Sequence, residues 1–192
     1  MQDLPRRRLW IVLLGTGFEG SLIGLAALLG WLLGKSPLEK HFRLDARDAA
    51  WGVAACLPLL LGAAALMRWP VGPLARIKQF TEEVLVPLFA PCSWIDLALI
   101  SLLAGVGEEL LFRGVLQVAL ARRLGALPGL LIAGALFGLL HPVTRTYVVL
   151  AALIGVYLGW LFERSGNLLL VMVAHALYDF VVLAWLVRRR AP

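Results

Sequence analysis

Seven residues of this chain pair ionisable chemistry with apolar surroundings: Glu19, Glu108, Glu109, Arg113, His141, His175 and Asp179. A charge at the centre of a bilayer costs roughly 2.5–3.5 kcal/mol even on a lenient insertion scale. Several in one chain therefore imply a protein interior where they meet each other or water, which marks a functional site. Peptide hydrolysis is chemistry within their reach, since it needs a water, a base to take its proton, and donors to receive the developing negative charge. Glu109 and Arg113 are i and i+4, stacked on one helical face with the acid on the favourable amino-terminal side. Glu108 is turned by about 100° from Glu109, so it is free to face a cavity. The expected division of labour is Glu108 as the chemical carboxylate, with Glu109 and Arg113 as its structural support. The plain alternative is a buried ion-pair network that only holds helices together.

His141 ends its helix immediately before Pro142, one turn after Phe137, and His175 sits in mid-span one turn before Asp179. A carboxylate stacked on an imidazole fixes its tautomer and orientation, an arrangement useful in a catalytic or a metal site. Glu108, His141 and His175 would make a chemically sound zinc set with an open water position, although the HExxH spacing is absent. Glu19 reads either as a polar contact beside Gly15, Gly17 and Gly20 or as lining for a substrate entrance.

The elements that must position these residues follow from composition. Of 192 residues, 61% are hydrophobic and 16% charged, with mean hydropathy +0.87. That balance excludes an ordinary soluble domain or a disordered chain and points to an all-α, polytopic transmembrane bundle. Six spans are expected: Leu9–Gly34, Trp51–Met67, the long helix Trp94–Ala121, Leu127–Leu140, Thr146–Phe162 and Asn167–Val187. Lys35–Asp48 is a charged connector, and Val71–Ser93, broken by three prolines, is expected to be an interfacial amphipathic segment. An amino-terminal region, residues 1–93, thus precedes a four-helix core, residues 94–192. The net charge of +6 is explained by cationic loops and ends, which favour cytoplasmic placement of both termini in a bacterial inner membrane. No basic patch is interleaved with aromatics, so nucleic acid is not an expected partner, and Cys56 and Cys92 form neither a disulfide framework nor a metal motif. Gly20/Gly24, Gly134/Gly138 and Gly155/Gly159 read as close helix-packing sites.

Three motifs in order carry a resemblance. Glu108-Glu109-Leu110-Leu111-Phe112-Arg113 matches EExxxR, Phe137-Gly138-Leu139-Leu140-His141 matches FxxxH, and His175-Ala176-Leu177-Tyr178-Asp179 matches HxxxN/D. On separate apolar helices they resemble the CAAX prenyl endopeptidase and bacteriocin-processing (CPBP, or Abi) family of intramembrane proteases, over about Trp94 to Val187. The resemblance implies an endopeptidase acting on a peptide or a lipid-modified, membrane-associated protein. In it Glu108 is the general base, His141 helps hold the water, and His175 with Asp179 stabilises the oxyanion. It favours no obligatory metal. Many members carry asparagine where Asp179 stands, and a carboxylate is a poor oxyanion donor unless protonated, so Asp179 is read alternatively as orienting His175. Two readings from other classes are weighed beside it: a proton-coupled transporter or ion-handling protein, and a non-catalytic bacteriocin-immunity protein on the same fold.

Overall fold

The computed structural model describes residues 3–34 and 40–189. Among them it forms seven helices and no strand: α1 Asp3–Leu32, α2 Ala46–Arg68, α3 Leu74–Phe89, α4 Trp94–Leu124, α5 Ala126–Leu139, α6 Arg145–Ser165 and α7 Leu168–Arg188. Local chemistry starts each principal helix. Asp45 accepts from the Arg47 and Asp48 amides, Ser93 and Asp96 make a reciprocal capping box, Thr144 accepts from the Tyr147 amide, and Asn167 accepts from the Leu169 amide. Each cap satisfies amide donors that a helix start leaves without an intrahelical partner. Asn167 does more, donating to Asp48 Oδ2 at 2.7 Å and to the Arg43 carbonyl at 3.0 Å, which ties the start of α7 to the first turn of α2 and the loop before it. The connector expected at Lys35–Asp48 falls partly outside the described residues, as do Met1, Gln2 and Arg190 at the cationic ends.

Pairs of contacts fix the directions of the helices. Arg8 meets Asp96 and Glu19 meets Gly107, so α1 and α4 run parallel. Arg113 reaches Gly155 and Gln117 reaches Gly159, so α4 and α6 are parallel as well. Gly105 packs on Ala176 while the Cys92 carbonyl accepts from Arg188 at 3.1 Å, so α7 runs against α4. α2 follows α7, and α5 runs back along α6. Both ends of the described chain consequently reach the α3–α4 turn, where Arg8 salt-bridges Asp96 at 2.6 Å. The segment expected at the interface is α3, which meets α4 at a bend of 116°.

Four helices, α1, α2, α6 and α7, are long and apolar enough to cross a membrane, and a fifth crossing arises if the bent pair α3 and α4 is counted as one. The six expected spans include two that fall short alone. α5 has 14 residues, about 21 Å at 1.5 Å per residue, against a hydrocarbon core of about 30 Å. α4 carries Asp96, Glu108, Glu109 and Arg113 among its apolar residues. Large apolar side chains such as Leu14, Phe18, Trp31, Leu57 and Leu61 are exposed on the flanks of α1 and α2, where a bilayer covers them.

The glycine pairs divide. A side chain at Gly134 or Gly138 would collide with α6, and one at Gly155 would press tightly on Gly134 and Phe137 of α5, so this contact brings backbone close to backbone. A Cβ added at Gly20 or Gly24 would meet nothing within 4 Å. The packing read for that pair is therefore absent among the described residues, because it lies on the outward side of α1.

Candidate active site

Glu108 and Glu109 end the regular part of α4, which passes into a π-helical stretch at Leu110–Gln117. Such stretches re-aim side chains and recur at functional sites. On one side of the helix Glu109 and Arg113 pair through Glu109 Oε1, while Glu109 Oε2 has no hydrogen-bond partner among the described residues. Glu109 and Arg113 are buried, with Arg113 Nη1 donating to Glu109 Oε1 at 2.9 Å and Nη2 to the Gly155 carbonyl at 2.8 Å. His175 Nδ1 lies 2.8 Å from the same Glu109 oxygen, and since a carboxylate only accepts, the ring donates. The Arg113 guanidinium lies over the Phe137 ring, 4.6 Å from its centre. One turn further, the amide of Gln117 donates to the Gly159 carbonyl and to Glu163, each at 3.1 Å.

The other side faces a cavity of about 320 Å³ whose wall includes Glu19, Glu108, Phe137, His141, His175 and Asp179. Glu108 is 8% exposed, and its Oε2 has no hydrogen-bond partner among the described residues. His141 Nε2 stands 3.8 Å from that oxygen, too far for a direct hydrogen bond and suited to a shared water. His141 Nδ1 is 2.7 Å from the Phe137 carbonyl, so it carries the proton and leaves Nε2 as the acceptor in the neutral ring. Phe137 also stacks on the imidazole, ring centres 4.6 Å apart. His175 Nε2 faces Asp179 Oδ2 at 3.5 Å, so both nitrogens of that ring point at carboxylates.

Two glycines make this convergence possible. A Cβ at Gly105 would lie 2.7 Å from the Ala176 amide nitrogen, and one at Gly107 would lie 2.7 Å from the Glu19 carbonyl oxygen. Bare backbone at these positions lets α7 bring His175, and α1 bring Glu19, against the helix that carries Glu108. Glu19 thus lines the cavity, and its Oε2 likewise has no hydrogen-bond partner among the described residues.

Every residue singled out in the sequence either lines this cavity or, as with Glu109 and Arg113, backs it. Tyr147, Tyr178 and Ser101, also in its wall, carried weaker signals. Tyr178 sits inside the third motif, Tyr147 follows His141 across a proline turn, and Ser101 lies two helical turns before Glu108. Of the trio weighed for zinc, Glu108 and His141 keep a donor atom toward the cavity, whereas both nitrogens of His175 face carboxylates. Among the described residues no three His, Cys, Asp or Glu side chains are grouped as a metal site would need. The arrangement can hold a water between a carboxylate and an imidazole and take its proton.

Comparison with known proteins adds an independent line. Residues 90–181 match the family described as type II CAAX prenyl endopeptidase Rce1-like. The chain is also similar to the uncharacterized protein YpbD of Bacillus subtilis, 29% identical over 141 residues that cover 71% of this chain and 68% of that protein. No solved structure matches the chain.

Proposed function

Residues 90–181 form a domain of the type II CAAX prenyl endopeptidase Rce1-like family, and from that premise we propose that this membrane protein hydrolyses a peptide bond of a membrane-associated substrate with a water activated by Glu108 and His141. One observation carries the reading: Glu108 Oε2, buried in the cavity wall and without a hydrogen-bond partner among the described residues, faces His141 Nε2 across 3.8 Å.

The water donates one hydrogen bond to Glu108 and another to His141 Nε2. Glu108 takes a proton as the water oxygen attacks the carbonyl carbon, and the carbonyl oxygen becomes the oxyanion. The C–N bond then breaks, and the departing amine receives the proton that Glu108 carried. Glu109, Arg113 and His175 keep α4, α6 and α7 in register, so Glu108 is presented at one angle. Phe137 does the same for His141 by stacking and through its carbonyl. The mechanism needs no metal, and metal analysis of the purified protein with chelator inhibition checks that. Both ends of the described chain lie beside the α3–α4 turn, and the arginines near them support a cytoplasmic location in a bacterial inner membrane.

The test compares membrane proteomes of cells carrying the wild-type protein and the Glu108→Ala variant. A cleavage product present with the wild type and missing with the variant identifies the substrate. Unchanged proteomes would contradict the protease reading and favour the immunity or transport alternatives.

A further inference from the structure

Three acids line the active-site cavity, and two of them face a nitrogen. Glu108 Oε2 has His141 Nε2 at 3.8 Å, and Asp179 Oδ2 has His175 Nε2 at 3.5 Å. Behind the wall, Arg113 is engaged by Glu109 at 2.9 Å. Glu19 is the exception. Its Oε2 is buried, and among the described residues the side chain makes neither a hydrogen bond nor an ion pair. No lysine or arginine among the described residues lines the cavity, so the wall offers no cation that could turn toward it. Backbone packing places this acid. Gly107 stands next to Glu108 on α4, and a Cβ there would lie 2.7 Å from the Glu19 carbonyl oxygen and 3.2 Å from Leu22 Cβ. α1 therefore crosses α4 with Glu19 beside Glu108, and the Glu19 carboxylate feels the like charges of Glu108 and Asp179. α1 also lies outside residues 90–181, so Glu19 is no part of the region matched to the family.

We propose that Glu19 selects the substrate by receiving a basic side chain, lysine or arginine, within two residues of the scissile bond. This rests on the hydrolytic reading above and deepens it by naming the charge that the substrate carries. A carboxylate set in a low-dielectric wall is costly without a counter-charge, and its desolvation is offset only when a cation with good geometry is present. With none supplied by the wall, the cation arrives with what fills the cavity. A space of about 320 Å³ takes only a few residues, and Glu19 stands beside Glu108. A cation bonded to Glu19 is therefore close in sequence to the carbonyl that the Glu108 water attacks. The neighbouring wall is mainly apolar, with Leu59, Ile100, Ala104 and Ile154, and it suits the hydrocarbon stem of a lysine or arginine whose head reaches the carboxylate.

The experiment uses the full-length enzyme in liposomes with the membrane protein whose product is lost from Glu108→Ala membranes. Mass spectrometry of the product places the cut, and a lysine or arginine is expected within two residues of it. Rates are then measured for the four combinations of wild-type or Glu19→Gln enzyme with the native substrate or one whose basic residue is replaced by methionine. Either change alone lowers kcat/KM about 10- to 100-fold, the worth of one hydrogen bond to a charged group. The two together lower it no further, as the loss of one shared contact requires. Glu19→Gln keeps the size of a side chain that bonds to nothing in the resting protein, so thermal unfolding stays as in the wild type. A cut with no basic residue within two positions overturns the proposal. Losses that simply add overturn it too, since they make Glu19 a packing residue. A wild-type rate on the methionine substrate within twofold of the native rate overturns it whatever Glu19→Gln does. All three results leave the protease reading standing as long as Glu108→Gln is inactive. Cleavage by Glu108→Gln, or the absence of any product lost with Glu108→Ala, overturns that reading and the role of Glu19 with it.

Discussion

Glu108 and Glu109 are neighbours on one helix and have opposite environments. Glu109 is fully buried, and its Oε1 accepts from Arg113 at 2.9 Å and from His175 at 2.8 Å. Glu108 is 8% exposed on a cavity wall, with an imidazole nitrogen 3.8 Å from its Oε2; Oε2 of each glutamate has no hydrogen-bond partner among the described residues. One rotation of about 100° along an α-helix separates a carboxylate tied to an arginine and a histidine from one that faces a cavity. The difference teaches that the paired side makes the unpaired side possible. Arg113 and His175 draw α6 and α7 onto α4, and that closure shapes the cavity that Glu108 faces.

The contrast can be broken from the paired side first. Arg113→Ala leaves Glu109 as a buried charge without its main partner, and breaking such pairs typically costs about 3–5 kcal/mol. The expected outcome is a marked drop in thermal stability and yield in detergent, and unchanged stability would refute the structural role of the pair. A smaller effect is expected at Gly138→Ala, which forces α5 off α6. Overpacking of this kind costs about 1–3 kcal/mol, and a displacement near 1 Å at His141 lowers activity about 10²-fold. Thermal unfolding and cleavage rate, measured together, check whether activity falls further than stability accounts for. Phe137→Leu removes the stacking on His141 and the ring beneath Arg113, contacts worth about 1 kcal/mol each, so it weakens both sides moderately. Gly24→Ala, on the open flank of α1, marks the low end of the scale, with unfolding temperature and cleavage rate both close to the wild type.

Much of this contrast is legible without a structure. The i, i+4 relation of Glu109 and Arg113 and the rotation to Glu108 follow from helical geometry, and the apolar runs announce the principal helices. What the linear chain conceals is which helix approaches which. Glu19 reads equally well as a packing contact until α1 is seen to cross α4 at Gly107. Gly20/Gly24 and Gly134/Gly138 have the same spacing, yet only the second pair meets a neighbouring helix, because spacing reports the capacity for close packing and not the presence of a partner. The π-helical stretch after Glu109 has no periodicity of its own to betray it. α5 reads as a span by composition, yet its 14 residues, the same number as the apolar run Leu127–Leu140, are too few to cross a hydrocarbon core of about 30 Å alone.

The central claim is that Glu108 performs chemistry while Glu109 holds structure, and Glu108→Gln tests it most directly. The substitution keeps size and shape and removes the base. Thermal unfolding in detergent and cleavage of the substrate in liposomes are measured on one preparation. The account predicts a protein that inserts and unfolds as the wild type does, with cleavage abolished. Retained cleavage by a folded Glu108→Gln protein would contradict it.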